Sequence, residues 1–139
     1  MQCITVFTDG GARGNPGPAA IGVHVVDESG AVVFEHKATI GNGTNNYAEY
    51  AAVAAALDLL KQRYGKQTKQ MQFELKLDSE LVKKQLNAEY QIKEPGLVPL
   101  FIEIHNLRVA HFPHLTFTHV PRAKNKEADR LVNEALDGA

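Results

Sequence analysis

Four acidic side chains recur where the chain changes character. Asp9 follows the apolar run "CITVFT" and precedes Gly10 and Gly11, and Glu49 falls in the first turn of an alanine-rich helical stretch. Asp78 closes the alternating run "MQFELKL", and Asp129 comes early in "NKEADRLVNEAL". Singly, each has an ordinary structural reading. Asp9 suits a turn, Glu49 can close a capping box with Asn46, Asp78 can cap the helix after it, and Asp129 can complement a helix dipole. Together they admit a chemical one. Carboxylates gathered at one rim of an open α/β sheet repel each other unless something cationic sits among them. Hard divalent cations take oxygen ligands, and Mg²⁺ keeps waters and substrate phosphates in its shell. Two such ions roughly 4 Å apart can activate a water and stabilise the leaving oxygen of an in-line phosphoryl displacement.

The elements that must position these acids follow from periodicity. Residues 2–8 alternate and are rich in β-branched side chains, which predicts a strand ending at Asp9. "AIGVHVVD" and "AVVFEHKATI" predict two more, joined by "DESGA" with a glycine where a hairpin wants one. "YAEYAAVAAALDLLKQRYG" predicts a long helix closed by Gly65, its alanines allowing close approach to a sheet. In "MQFELKLD", Met71, Phe73, Leu75 and Leu77 share one face of a fourth strand. "SELVKKQLNAEY" and the span Pro95–His111 predict helices, "LTFTHV" a last strand, and Asn125 the N-cap of a last helix. The order β-β-β-α-β-α-α-β-α implies one mixed α/β domain over residues 1–139, with three antiparallel strands and later strands running parallel.

Composition narrows the class. Hydrophobic residues make up 44% and charged ones 22%, an ordinary globular balance. A net charge of −1 gives the whole molecule no pull on a polyanion, so any attraction must be local or metal-borne. The single cysteine, Cys3, cannot form an internal disulfide, and "MQCITVF" lacks the basic start of a signal peptide. A cytoplasmic monomer, with no membrane association and no obligate protein partner, is the expectation.

Four stretches in order carry a family resemblance: "FTDGGARGNPGPAAIG", "TNNYAEYAAVAAAL", "LDSELV" and "HVPRAKNKEADRLVNEAL". The sequence resembles type 1 ribonuclease H, a family that hydrolyses the RNA strand of RNA–DNA hybrids with Mg²⁺ or Mn²⁺. The resemblance covers nearly the whole chain and implies a five-stranded mixed sheet with helices on both faces. It carries the family's catalytic carboxylates onto Asp9, Glu49, Asp78 and Asp129. Asp9 and Asp129 would hold the ion that activates water, and Asp9, Glu49 and Asp78 the one that stabilises the leaving 3′ oxygen. The products would be a 5′-phosphate and a 3′-hydroxyl. It also accounts for the five glycines and two prolines that follow Asp9 within thirteen residues. Gly10 and Gly11 would let backbone approach the substrate. Asn15, Thr44, Asn45 and Asn46 resemble positions that contact both strands across the minor groove, where the 2′-hydroxyl distinguishes RNA. Ser79, Asn125 and Arg13 complete the implied substrate-binding set. The alternatives are turn and cap chemistry for the "GNPG" and "TNN" segments, and a solvated Arg13.

The chain departs from the family pattern in two places. Many members carry a histidine between the last strand and last helix, but here "PRAKN" offers Arg122, which cannot shuttle protons. Arg122 is therefore expected to act by electrostatics or by steering phosphate, unless it is simply a surface arginine. His119 just upstream reads as a packed strand residue, and the other five histidines show no metal-ligand spacing. The basic, tryptophan-rich protrusion of some members is reduced to "AEYQIKEPGLVPLF", and no hybrid-binding extension is expected before the first strand. Grip on the DNA strand would fall to Lys83, Lys84, Arg122, Lys124 and Lys126. The start at Met1 is read as a free enzyme. A silent nucleic-acid binder, a DNA-cutting relative on the same fold and an actin-like phosphotransferase are the competing readings. Four acids kept beside a polyanion argue against the first. The "TNN" and "GNPG" segments argue against the second, and the need for two domains against the third.

Overall fold

The structure, a computed structural model, describes residues 1–138. Five strands form one sheet in the order β3-β2-β1-β4-β5: β1 (Cys3–Ala12), β2 (Gly17–Val26), β3 (Val32–Gly43), β4 (Gln72–Leu77) and β5 (Leu115–His119). β1, β2 and β3 pair antiparallel, while β4 and β5 join in parallel. Four α-helices complete the fold: α1 (Asn45–Tyr64), α2 (Glu80–Leu86), α3 (Val98–His111) and α4 (Lys126–Asp137). The expected mixed sheet is the one observed. Among the described residues, no helix is long and apolar enough to cross a membrane.

The main core lies between the sheet and α1–α3. Ile4, Val6, Val23, Phe73, Leu75 and Leu77 meet Tyr50, Val53, Leu57, Leu60, Leu97, Ile104 and Phe112 there. α4 packs on the opposite face, against β1, β2 and β3. Adjacent residues of a strand point to opposite faces, and the glycines of β1 show which helix owns each. A Cβ on Gly10 would lie 2.2 Å from the carbonyl carbon and oxygen of Ala48 in α1, whereas one on Gly11 would meet only Val132 Cγ1 of α4, at 3.6 Å. Gly22 of β2 repeats the device beneath α4, where a Cβ would sit 2.4 Å from the Ala128 carbonyl oxygen.

Several element ends differ from expectation. β1 does not stop at Asp9; Gly10, Gly11 and Ala12 pair with Ile21, Ala20 and Ala19. α1 starts at Asn45, with Thr44 Oγ1 accepting from the Tyr47 N–H as its cap, so Asn46 is not the cap. Glu49 consequently sits in the second turn, facing β1, and the capping box does not form. α2 ends at Leu86 and not at Tyr90, because Ala88 takes a left-handed φ of 60°. The helix predicted from Pro95 begins as a 3₁₀ turn, Pro95–Leu97, before α3 proper.

Gly10 therefore sets the distance between α1 and the sheet. Gly10→Ala should cost about 2–4 kcal/mol and Gly11→Ala no more than about 0.5 kcal/mol, since only the former drives a methyl into helix backbone. Urea unfolding of the two variants checks this, and equal midpoints would contradict the packing described.

Candidate active site

Parallel pairing of β1 with β4 ends at Phe7–Lys76, and beyond it the strands part. Asp9 and Asp78 stand at this opening, where β1 has an antiparallel neighbour on one side and a parallel one on the other. Such a switch point is where open α/β sheets bind ligands. α1 delivers Glu49 to the same place, its Oε1 accepting from the Gly10 N–H at 3.4 Å. Asp9, Glu49 and Asp78 each offer a carboxylate oxygen, all within 4.8 Å of one another. Asp129, from the first turns of α4, lines the same cleft of about 390 Å³ and lies close enough to Asp9 to perturb it.

The cluster is electrostatically unfinished. Burial pushes the Asp9 carboxyl from 3.8 up to about 7, with Asp78 and Asp129 adding to the rise and a hydrogen bond from Glu49 opposing it. Burial, then the Asp9 charge, drives Glu49 well above the usual carboxylate range. The pair thus holds a proton near neutral pH and titrates as a unit. Glu49 Oε2 is buried without a hydrogen-bond partner. Among the described residues, no lysine or arginine forms a salt bridge with any of the four acids. An all-oxygen donor set with an orphaned carboxylate oxygen fits a hard divalent cation.

A second acidic group provides the contrast. The fold brings His24 to Glu35 and Glu127, so one histidine does meet a metal-like constellation that sequence spacing hid. Here Arg130 supplies the positive charge, reaching Glu35 and Glu127 at 2.8 and 2.9 Å and Glu134 at 2.8 Å, while His24 Nδ1 lies 2.7 Å from Glu35. These acids already have cationic partners within the protein, Arg130 for all three and Lys37 for Glu134. Those around Asp9 do not.

The other expected site residues divide into three groups. Gly10, Gly11, Arg13, Asn45, Asn46, Ser79 and Arg122 line the cleft. Of these, Gly10 serves the approach of α1, so its role is packing as well as any access for substrate. Arg13 is ion-paired to Asp137 at 2.6 Å. Ser79 caps α2, its Oγ accepting from the Val82 N–H at 3.2 Å and keeping its own hydrogen to donate. Asn15 and Thr44 do not line the cleft and act as supports of its rim. Asn15 Oδ1 accepts from the Asn45 N–H, and Asn45 Oδ1 in turn from the Ala12 N–H, at 3.0 and 2.9 Å. Asn125 makes no side-chain cap. It is buried, and its Nδ2 donates to the Thr8 carbonyl at 2.9 Å and weakly to Asp78 Oδ2 at 3.4 Å, tying α4 to β1 and to a cluster carboxylate. His119 is exposed, not packed.

Asn133 was not anticipated. It also lines the cleft, and its place four residues after Asp129, one helical turn along the same face, was the signal available.

The site has relatives. The family described as Reverse transcriptase-like matches residues 7–135. Ribonuclease HI of Halobacterium salinarum is 43% identical over 136 residues, which cover 98% of this chain and 65% of that protein. Bifunctional protein Rv2228c of Mycobacterium tuberculosis is 38% identical over 98% of this chain and 36% of its own length. The chain thus spans less than two thirds of these curated relatives. LC11-RNase H1, isolated from compost by a metagenomic approach, shares 47% identity and a TM-score of 0.94, covering 99% of this chain and 98% of that one. It has also been solved in complex with an RNA/DNA hybrid, with a TM-score of 0.92 to this chain. Sequence, fold and the acidic cleft together make this chain a member of the type 1 ribonuclease H family.

Proposed function

We propose that this chain is a metal-dependent endoribonuclease that cuts the RNA strand of RNA–DNA hybrids and leaves 5′-phosphate and 3′-hydroxyl ends. Residues 1–139 would act as one catalytic domain, as a monomer in the cytoplasm. The observation that carries the reading is the convergence of Asp9, Glu49 and Asp78 oxygens within 4.8 Å beside an unpartnered Glu49 Oε2. The likeness to LC11-RNase H1, which has been captured on a hybrid, supports the substrate.

Asp9, Glu49, Asp78 and Asp129 would hold Mg²⁺, with Mn²⁺ as a substitute. When bound, the ions supply Lewis-acid polarisation of the scissile phosphate and lower the pKa of attacking water. The protein's own work is arrangement. Asp9 and Glu49, whose carboxyls burial pushes up, would be held ionised by the bound cation, and Asp129 faces the same cleft from α4. Asn45 and Asn46 present amides at the rim, Asn45 with its carbonyl already tied to Ala12 and its NH₂ free to donate. Ser79 adds a hydroxyl donor beside Asp78. Arg122, exposed at the rim, attracts phosphate as a fixed charge and moves no proton. Arg13 reaches phosphate only by exchanging its partner Asp137.

With a labelled RNA–DNA hybrid and matched RNA and DNA duplexes, the protein should cut the hybrid's RNA strand in Mg²⁺ or Mn²⁺. Excess chelator should stop it, and Asp9→Asn should lower the rate about 10³-fold. Undiminished cutting in chelator refutes the mechanism.

A stability test follows from the same cluster. Because the folded-state pKa of Asp9 is raised, the folded state binds more protons than the unfolded chain between about pH 4 and 7. Metal-free stability therefore falls as pH rises through that window, and the raised Glu49 carboxyl acts in the same direction. In chelator at pH 8, Asp9→Asn should be more stable than the wild type by on the order of 1–3 kcal/mol, with the gap closing towards pH 4. Added Mg²⁺ should raise the wild-type Tm and leave the variant's nearly unchanged. Scanning calorimetry across pH, with and without Mg²⁺, measures both effects.

A further inference from the structure

Glu94, between α2 and α3, reaches the site from outside. Its Oε1 accepts a hydrogen bond from Asn46 Nδ2 at 3.0 Å. Asn46 lines the acidic cleft, and Glu94 lines the two cavities beside it. A carboxylate only accepts, so the contact decides which end of the Asn46 amide is which. One N–H of the NH₂ is held by Glu94, and the carbonyl Oδ1 is left wholly unengaged.

A buried chain of hydrogen bonds holds the Glu94 segment in place. Tyr50, fully buried in α1, donates its hydroxyl to Gln85 Oε1 of α2 at 2.7 Å, and Gln85 Nε2 donates to the Gln91 carbonyl at 3.2 Å. Burial, reinforced by the Glu94 charge, pushes the Tyr50 hydroxyl up to about 12, so it remains a donor. The Leu97 N–H then closes on the Glu94 carbonyl at 3.0 Å, at the start of the Pro95–Leu97 turn. The loop is therefore anchored on both sides of the carboxylate that grips Asn46.

We propose that Glu94 is a positioning residue. By holding Asn46 Nδ2 it leaves Oδ1 as the atom offered to the minor groove, and so biases the enzyme towards sites where the groove presents a donor, the guanine 2-amino group. That amino group is the only donor on a base edge in the minor groove, where the remaining base groups are acceptors and would oppose Oδ1. The 2′-hydroxyl donates and accepts, so either amide orientation serves it and it does not report on Glu94. The inference rests on the hybrid reading above.

Replacing guanosine by inosine deletes the 2-amino group while keeping the pairing with cytosine. Hybrids carrying inosine at single positions are compared with their guanosine parents, by equilibrium binding in the Asp9→Asn background and by cleavage with the otherwise unaltered enzyme. Inosine at one register position should weaken binding about three- to tenfold. Adding Glu94→Ala should reduce that ratio to below about twofold, because the freed amide can present either end. Glu94→Gln keeps the tether but can pair with either end of the amide, so the ratio should fall there too, whereas a merely structural tether would leave it at the starting value. No inosine-sensitive position, or full discrimination in Glu94→Ala or Glu94→Gln, overturns the proposal. Discrimination in binding that depends on Glu94, without any cleavage, supports it and defeats only the nuclease reading; failure to bind hybrids defeats both.

Discussion

Carboxylates forced together out of water constrain this molecule more than any other interaction. A buried, unpaired carboxylate is costly, and several at hydrogen-bonding distance are costlier, because each raises the energy of ionising the next. The protein solves this problem twice, in opposite ways. Around Arg130 a guanidinium fork satisfies Glu35, Glu127 and Glu134, and the result is a surface network joining α4 to β3. Around Asp9 no such fork is supplied, and a proton stands in for the missing positive charge. The first arrangement is complete and structural. The second carries a standing demand for a cation, which is what makes it a site.

Holding that demand in place requires tight packing. Glu49 reaches the Gly10 N–H only because α1 lies against β1 with no Cβ between them. On the other face Gly22 lets α4 settle onto β2, which brings Asp129 to the cleft and Asn125 to the Thr8 carbonyl. Asn125 then touches Asp78, so α4, β1 and the end of β4 share one buried amide. The glycine-rich start of the chain thus fixes the distances at which helices deliver their acids, and this comes before any contact with substrate.

These relations explain what was legible beforehand. The alternation in β4, the alanines of α1 and the apolar spacing of α3 are imprints of burial on single elements, and burial follows periodicity. The four acids were legible because each lies where the sequence pattern changes and their types share one chemistry. Element ends themselves were not, because they are decided by partners far along the chain. β1 runs past Asp9 because Gly10–Ala12 find hydrogen-bonding partners in β2. Thr44 outcompeted Asn46 as cap, and Asn46 instead met Glu94, 48 residues away. Arg13 with Asp137, 124 residues apart, and His24 with Glu35 and Glu127 are likewise products of tertiary approach that no local window records.

The reduced loop between α2 and α3 changes how a polyanion must be held. Of the five basic residues expected to grip the DNA strand, Arg122 lines the cleft, Lys124 and Lys126 line a separate pocket with Phe7 and His24, and Lys84 is already spent on Glu80 and Tyr90. Among the described residues, Lys83, Arg122, Lys124 and Lys126 form no salt bridge, and these are few charges for a protein whose net charge is −1. Counterion release scales with the phosphates neutralised, so on the proposed reading such a small set would give modest, shallowly salt-dependent attraction. If the chain binds hybrids as proposed, discrimination would fall to short-range contacts from the groups that line the cleft, the amides of Asn45 and Asn46 and the Ser79 hydroxyl. In such a site the orientation of a single amide weighs more than it would beside a basic protrusion, because little non-specific binding energy is present to dilute it. On the proposed reading, Glu94 would decide which end of the Asn46 amide the groove is offered.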